Sequence, residues 1–454
     1  MGRLFGTDGI RGEAFRYPVD AATAFAVGQA VSRVLVRPGG ESRVVLGRDT
    51  RVSGEMLEDA LRAGIVAAGG TPVLAGVLPT PGIAFVVRDL GAAAGVVISA
   101  SHNPYQDNGI KVFSGAGFKL SDDEENAIEA LVLGGELPPR DMPRRAPLPT
   151  EVDGSQHLDD AVDRYAAFLR GTFPRSLSLQ GEKVVLDTAN GATFQVGPAV
   201  FRELGAQVTV IHDTPDGRNI NQECGSQHTG DLERTVVAQG ATLGLAFDGD
   251  GDRLMAVDET GAVLTGDQIL MICAHMLKQE NRLKNDLLVS TVMSNMGLRA
   301  ACKKYGFAHQ ATKVGDRHVL EEMRHLGAVL GGEDSGHVVF LEYHTTGDGI
   351  LAALQLLAAM LKAGKPLSEL AGLMEVFPQK LINVEVKSKP DIQSVQEIVR
   401  AIAEAEAELK DGGRVLVRYS GTQDMCRVMV EGPTVAITER LAKRVADVVK
   451  AALG

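Results

Sequence analysis

The sequence has only four cysteines, Cys224, Cys273, Cys302 and Cys426, far apart and without a CxxC pair. That spacing suggests neither a zinc centre nor a disulfide framework, and reduced cytoplasmic thiols fit best. Long apolar runs are missing too. The longest mainly apolar stretch, GDGILAALQLLAAMLKAG (347–364), is too short and too well capped to span a bilayer. The opening MGRLFGTDGI carries no apolar signal core, and Gly6 stands where a myristoylation pattern needs Ser or Thr. A soluble, cytoplasmic protein is expected. Positive charge is also short: 46 Lys and Arg against 58 Asp and Glu leave a net charge of −12. The chain as a whole therefore repels nucleic acid and anionic membrane, and any anionic ligand must be held by local cations.

What is present is an ordinary globular composition: 44% hydrophobic residues, with 52 glycines and 18 prolines spread along 454 residues without repeats. That length suggests roughly three or four units. Helix-then-strand patterns recur in MLEDALRAGIVAAGG–TPVLAGVL, AVFRELGAQVTVIH, DLERTVVAQGATLGLAFD and SNMGLRAACKKYGFAHQATKVG. This alternation predicts an α/β layout with largely parallel sheets, reused about three times. The Pro- and Gly-rich LGGELPPRDMPRRAPLPTEVDGS (133–155) reads as the way out of a first domain. Beyond EVFPQKLINVEVKSKPD the pattern changes to strands (KLINVEVKS, RVLVRYS, CRVMVEG) around two amphipathic helices. The expected domains are 1–150, 151–257 and 258–375, all α/β, and 376–454, which is α+β.

Five polar loops follow or interrupt apolar strands: FGTDGIRG (5–12), SASHNP (99–104), DGDGDR (248–253), GGEDSGH (331–337) and RYSGTQDMCR (418–427). Ligands collect at strand ends in α/β layers, so these loops invite one shared cleft. In DGDGDR, Asp248, Asp250 and Asp252 alternate with glycines that accept unusual φ values, so three carboxylates can turn to one point. Their repulsion is tolerable around a hard divalent cation, and three protein ligands leave room for a phosphate oxygen, which points to Mg²⁺. An EF-hand would add Glu259 at its last ligand position, but it needs Gly where Arg253 stands, and the flanks read as strands. A solvated acidic turn is the remaining alternative.

Ser101 lacks a nucleophile elbow, and His102 is a poor base for it because adjacent residues usually point apart. A phosphorylated serine fits better. It carries about −1.5 to −2 charge and needs a metal and cations nearby. Lys111, Arg11, Arg253 and the aspartate triplet supply these. An ordinary Asn-Pro turn is the bland alternative.

FGTDGIRG, ISASHNPYQDNGIKVF, AFDGDGDR and VGDRHV stand in the order and approximate spacing of the α-D-phosphohexomutase superfamily. The resemblance covers nearly the whole chain and is nearest to the bacterial phosphoglucosamine mutase branch. It implies three similar α/β domains with mixed, mostly parallel sheets plus a C-terminal α+β domain around a central cleft. It further implies that Ser101 is the phosphoserine, and that Asp248, Asp250 and Asp252 hold one Mg²⁺ with it. Lys111 and His337 become candidates for proton transfer on the sugar hydroxyls, with Arg11 and His102 also in the catalytic set. A satisfied core histidine is the plain alternative for His337. Glu333 and Ser335 would pair with the sugar hydroxyls. Arg418, Ser420, Gly421, Thr422 and Arg427 would hold the far phosphate. Asp334, Gln423 and Asp424 depart from the family's usual residues, and Asp424 brings negative charge to that anion loop. The implied reaction interconverts glucosamine 6-phosphate and glucosamine 1-phosphate through glucosamine 1,6-bisphosphate, feeding UDP-N-acetylglucosamine and cell-wall precursors. Implied partners are a small sugar phosphate, with no nucleic acid and no membrane, and a homodimer is compatible. A phosphomannomutase/phosphoglucomutase and a non-catalytic sugar-phosphate sensor are the other readings.

Overall fold

Runs of apolar residues bounded by glycine and polar caps decide where the elements fall. The structure, a computed structural model, describes residues 4–6, 8–37, 39–134, 154–420 and 424–454. The chain divides into two compact units, one of Met1–Val292 and Phe307–Leu373, the other of Met293–Gly306 and Met374–Gly454.

The first sheet draws on β1 (Ile10–Glu13), α1 (Ala21–Leu35), β2 (Arg43–Arg48), α2 (Gly54–Ala67), β3 (Thr71–Val77), α3 (Thr80–Leu90), β4 (Ala94–Ile98), β5 (Asp107–Ser114), α4 (Asp122–Leu133) and β6 (Gln156–His157). Its order is β1-β5-β4-β2-β3-β6, parallel among β4, β2, β3 and β6 and antiparallel at β5 and β1. Helices cover its strands, so β4 is buried throughout and reads AGVVI, without polar alternation. Val27, Leu61, Ile65, Val96 and Ile110 sit in its core. Asp20 caps α1 by accepting from Thr23 N, and Ser121 with Glu124 forms a capping box on α4.

α5 (Ala161–Thr172) leads into the second sheet, which contains β7 (Lys183–Asp187), α6 (Val196–Glu203), β8 (Gln207–Ile211), α7 (Gly230–Gln239), β9 (Leu243–Phe247), β10 (Leu254–Asp258) and β11 (Val263–Leu264). Its order is β11-β10-β9-β7-β8. After α8 (Gly266–Gln279), the third sheet uses β12 (Leu287–Thr291), β13 (Ala308–Thr312), α10 (Asp316–Leu326), β14 (Leu330–Gly332) and β15 (Val338–Phe340) in the order β13-β12-β14-β15. α9 (Met296–Tyr305) lies between β12 and β13 in sequence, and α11 (Gly349–Ala363) and α12 (Leu367–Ala371) complete this unit's helices. The last sheet, β16 (Gln379–Glu385), β17 (Arg414–Tyr419) and β18 (Met425–Glu431), is antiparallel and packs with α13 (Gln396–Leu409) and α14 (Val435–Leu453). The expected α/β layout with mixed, mostly parallel sheets and a C-terminal unit of a different kind is observed.

The first three sheets share one plan. Each ends in a parallel strand that turns through a hairpin into an antiparallel partner: β4 into β5, β9 into β10, β14 into β15. Those three hairpins carry Ser101, the aspartate triplet and Glu333–His337. Because strands flank Asp248–Asp252 on both sides, an EF-hand is excluded.

The sheets do not stop at the expected divisions. β6 joins the first sheet after residue 150, and the division at 257 falls inside β10, whose partner β11 stays in the second sheet. The Pro-rich 133–155 connection lies mostly outside the described residues. α9 belongs with the C-terminal unit: Asn295 caps it by accepting from Gly297 N at 3.0 Å, donates to Phe377 O at 2.9 Å and accepts from Phe377 N at 3.0 Å.

Candidate active site

β4 delivers Ser101 to the end of the first sheet in the left-handed region, φ 54°, with 1% of its surface exposed. This conformation is held from several sides. Ser101 N donates to Ser99 Oγ at 3.0 Å, and Ser99 Oγ donates to Asp49 Oδ2 at 2.5 Å. Fully buried Arg51 pairs with Asp49 at 2.9 Å and donates to the carbonyls of Ser101 (2.9 Å), Asn103 (2.8 Å), Pro104 (2.5 Å) and Asp107 (3.1 Å). Asn221 Nδ2 reaches the same Ser101 carbonyl at 2.9 Å.

The turn at Ser101 also reverses one expectation. His102 Nδ1 lies 3.2 Å from Ser101 Oγ, although the two are chain neighbours. Ser101 is in the left-handed region, so the alternation that points strand neighbours to opposite faces does not apply to this pair. Burial, then the charges of Arg253 and Arg11, push the His102 imidazole down to about 4, so it faces the hydroxyl in its neutral form.

Ser101 Oγ donates to Asp248 Oδ2 at 2.5 Å. Asp248, Asp250 and Asp252 each offer a carboxylate oxygen within 4.8 Å of the others, and all three are buried. The two glycines between them serve different purposes. Gly251 takes φ 73°, as expected, whereas a Cβ on Gly249 would stand 2.7 Å from the Ser101 carbonyl oxygen, so close approach requires glycine there. Asp250 Oδ1 and Asp252 Oδ1 are buried and without a hydrogen-bond partner. Burial, reinforced by Asp252 and Asp250, pushes the Asp248 carboxyl well above the usual range. Crowded carboxylates with unanswered oxygens are the donor set of a hard divalent cation, so the triplet could hold a metal.

Cations interleave with these carboxylates. Lys111 Nζ lies 2.8 Å from Asp250, 3.1 Å from Asp8 and 3.6 Å from Asp252. Burial opposes its charge, but those three carboxylates outweigh burial and raise it above the ordinary lysine value. Asp252 is likewise opposed by burial yet held below the carboxylate range by Lys111, His337 and Arg253. Arg11 pairs with Asp8, and Arg253 N donates to Asp248 Oδ1 at 3.2 Å while its Nε stands 3.8 Å from Asp252. His337, 3% exposed, sits between Asp252 (3.6 Å from Nδ1) and Asp316 (3.7 Å from Nε2). Burial disfavours its charge, but the two carboxylates prevail and raise it. Glu333 Oε1 accepts from Gly315 N at 3.0 Å, and Ser335 is exposed.

Thr80, Lys119, Asp8, Asp316 and Arg51, which sequence reasoning did not single out, belong to this network. Thr80 Oγ1 donates to Asp250 at 2.6 Å, and Lys119 pairs with both Asp8 and Asp316. Asp8 and Asp316 lay within the quoted FGTDGIRG and VGDRHV motifs. Arg51, which holds the serine loop, follows strand β2 as the other site loops follow theirs, so the same signal could have found it.

In the C-terminal unit Arg418 and Arg427 are directly opposite on β17 and β18, and Ser420 is buried beyond them. Gly421 and Thr422 lie outside the described residues, as does Gln423. Asp424 is turned out: its side chain is 91% exposed and pairs with Lys389 at 3.1 Å, so a lysine answers its charge.

The chain matches the phosphoglucomutase/phosphomannomutase family in four consecutive parts: α/β/α domain I over residues 2–137, domain II over 163–261, domain III over 265–377 and the C-terminal domain over 381–448. It is 64% identical to phosphoglucosamine mutase of Syntrophobacter fumaroxidans over the full length of both chains. It is 49% identical to that of Myxococcus xanthus, covering 99% of this chain and 97% of the relative. The chain belongs to the phosphoglucosamine mutase family. Like other phosphoglucosamine mutases it is an isomerase. A putative phosphomannomutase from Thermus thermophilus shares the fold at TM-score 0.78, with 24% identity over 99% of each chain. So does Aspergillus fumigatus N-acetylphosphoglucosamine mutase, solved in complex with GlcNAc-6P and magnesium, at TM-score 0.66 and 17% identity over 100% of this chain and 96% of that one. Among the described residues, no helix of this phosphoglucosamine mutase family member is long and apolar enough to cross a membrane.

Proposed function

We propose that the chain interconverts glucosamine 6-phosphate and glucosamine 1-phosphate, with Ser101 carrying the phosphoryl group between turnovers. The observation behind this reading is the 2.5 Å contact from Ser101 Oγ to Asp248 inside a cluster whose Asp250 Oδ1 and Asp252 Oδ1 accept no hydrogen bond. A serine that only shaped a turn would not need buried carboxylates around its hydroxyl.

In the first half-reaction a sugar hydroxyl attacks phosphorus. Its P–O bond forms as the bond to Ser101 Oγ breaks; neutral His337 takes the hydroxyl proton, Asp252 and Asp316 favouring the imidazolium that results, and Ser101 Oγ leaves as a hydroxyl on taking a proton from water. The resulting glucosamine 1,6-bisphosphate turns over, and the other phosphoryl group returns to Ser101 Oγ while the departing sugar oxygen recovers a proton. Lys111, kept charged by three carboxylates, faces the transferring group as a fixed cation. Asp248, Asp250 and Asp252 would hold Mg²⁺, which when bound offsets charge on the transferring phosphoryl group. Arg418 and Arg427 are directly opposite on neighbouring strands and bring two guanidinium groups, which suit a phosphate, to one place, so we assign them the phosphate not being transferred. Glu333 and Ser335 are assigned the sugar hydroxyls.

A coupled assay against glucosamine 6-phosphate, glucose 6-phosphate and mannose 6-phosphate, with intact-mass measurement of the protein, tests this. The expected result is preference for the amino sugar, one phosphoryl adduct on the parent, and neither adduct nor turnover in Ser101→Ala. Preference for mannose or glucose phosphate would move the chain to the phosphomannomutase/phosphoglucomutase reading. Binding without turnover would make it a sensor.

A further inference from the structure

A second cluster of chemistry-bearing side chains lies at the C-terminal ends of β7 and β8. Asp187 ends β7, His212 follows the last residue of β8, and Cys224 closes the loop that runs on from there. A carboxylate oxygen, an imidazole nitrogen and the thiol sulfur lie within 4.8 Å of one another. His212 Nδ1 is buried without a hydrogen-bond partner and stands 3.1 Å from Asp187 Oδ2, while Nε2 faces Asp231 Oδ2 at 3.3 Å. Asp187 is fixed from behind, its two oxygens accepting from Ala189 N and Gly225 N at 2.9 Å each. Ala189, Asn190, His212, Asn221 and Glu223 all take positive φ around this point. Non-glycine residues keep that conformation where the surroundings over-determine it, often at functional sites.

We propose that Asp187, His212 and Cys224 bind a transition-metal ion of the zinc class, separate from the aspartate triplet. One oxygen, one nitrogen and one sulfur donor suit Zn²⁺ or Co²⁺, whereas Mg²⁺ takes oxygens alone. Asp231 completes the pattern of a ligating histidine whose second ring nitrogen is oriented by a carboxylate. As a free thiol Cys224 is inert, because burial and the charges of Asp187 and Asp231 push it up to about 12. Metal binding reverses that balance by releasing the thiol proton to solvent. The three ligands come from separate segments, which is why cysteine spacing gave no sign of a zinc site.

The position gives such an ion something to do. Asn221, three residues before Cys224, donates its backbone N–H to Ala189 O at 2.9 Å and its side chain to Ser101 O. Gly225, next to Cys224, packs so closely that a Cβ would stand 2.5 Å from the carbonyl oxygen of Phe247, the residue before Asp248. An ion joining β7, β8 and this loop would stiffen the support of both reactive loops.

Co²⁺ titration of the chelator-treated full chain in saturating Mg²⁺ tests the proposal, which does not depend on the assigned reaction. The expected result is one equivalent of Co²⁺ with a thiolate-to-metal charge-transfer band, which the all-oxygen triplet cannot produce. Cys224→Ser should lose the band and the zinc equivalent measured by elemental analysis. Asp231→Asn should keep the band with affinity lowered about 10- to 100-fold. If Cys224→Ser does not fold, the parent's spectrum and the half-exposed Asp231 variant decide. Absence of the band in the folded parent, or its persistence in Cys224→Ser, would overturn the site.

Discussion

Arg51 Nη2 donates to the carbonyl oxygen of Ser101 at 2.9 Å, and neither residue is more than 1% exposed. The same guanidinium gathers three further carbonyls of that loop, so one side chain fixes where the serine hydroxyl points.

Arg51→Lys keeps the charge opposite Asp49 but loses the planar fork. The turnover number should fall about a hundredfold, as displacements of about 1 Å at a reacting group do, with the Michaelis constant little changed. A merely structural role would lower the melting temperature without that split. Arg51→Met leaves Asp49 buried and unpaired, and should destabilise the unit by about 3–5 kcal/mol in urea unfolding.

Asp250→Asn removes one of three clustered charges and weakens the partner of Lys111. Activity titrated with Mg²⁺ should need at least about tenfold more metal for half-saturation, following the loss of one charged oxygen ligand. A titration identical to the parent's would reduce the triplet to a solvated turn.

Arg427→Ala should raise the Michaelis constant by about tenfold to a few hundredfold and lower the turnover number much less, a charged hydrogen bond being worth roughly 1.5–3 kcal/mol. The phosphate proposed for it is not the one transferred, and would be held equally in ground and transition states. Added glucosamine 1,6-bisphosphate should restore rate if the variant releases the intermediate early. Steady-state kinetics with and without the bisphosphate check both, and an unchanged Michaelis constant would remove this loop from substrate binding.

Stability should carry an acid-side signature from His344. Burial pushes this imidazole down to about 4, while Nδ1 accepts from Thr345 N at 2.7 Å and Nε2 donates to Pro81 O at 2.9 Å. Below pH 6.5 the unfolded chain binds a proton that the folded chain refuses. The contribution is therefore complete above pH 6.5 and is lost as pH falls toward 4. By pH 5 the loss should reach about 2 kcal/mol at 1.36 kcal/mol per unit. His344→Gln, compared with the parent by urea unfolding at pH 7 and pH 5, should show a drop smaller by about that amount. An equal drop would place the acid sensitivity elsewhere.

Much of the fold was readable because strands buried on both faces must be apolar throughout, as β4 and β9 are, and because the site loops sit at their ends. The aspartate triplet was legible since its ligands lie in one loop. His102 was misjudged because its approach to Ser101 depends on one backbone angle that Arg51 and Asn221 impose from afar. The Asp8–Lys119–Asp316 chain and the Asp187–His212–Cys224 cluster converge from distant segments, and no local spacing encodes them. For α9, helical periodicity was plain, but which surface receives Leu298, Ala301 and Cys302 is a tertiary choice.

That choice has a consequence during synthesis. α9 leaves the ribosome before β13 and well ahead of Met374–Gly454, the rest of the unit it belongs to, while the third sheet is still being completed. Chains arrested before Phe377 would hold Asn295 without the backbone N–H and carbonyl it pairs with in the finished unit. The C-terminal unit is thus the last to become whole although one of its helices is made early.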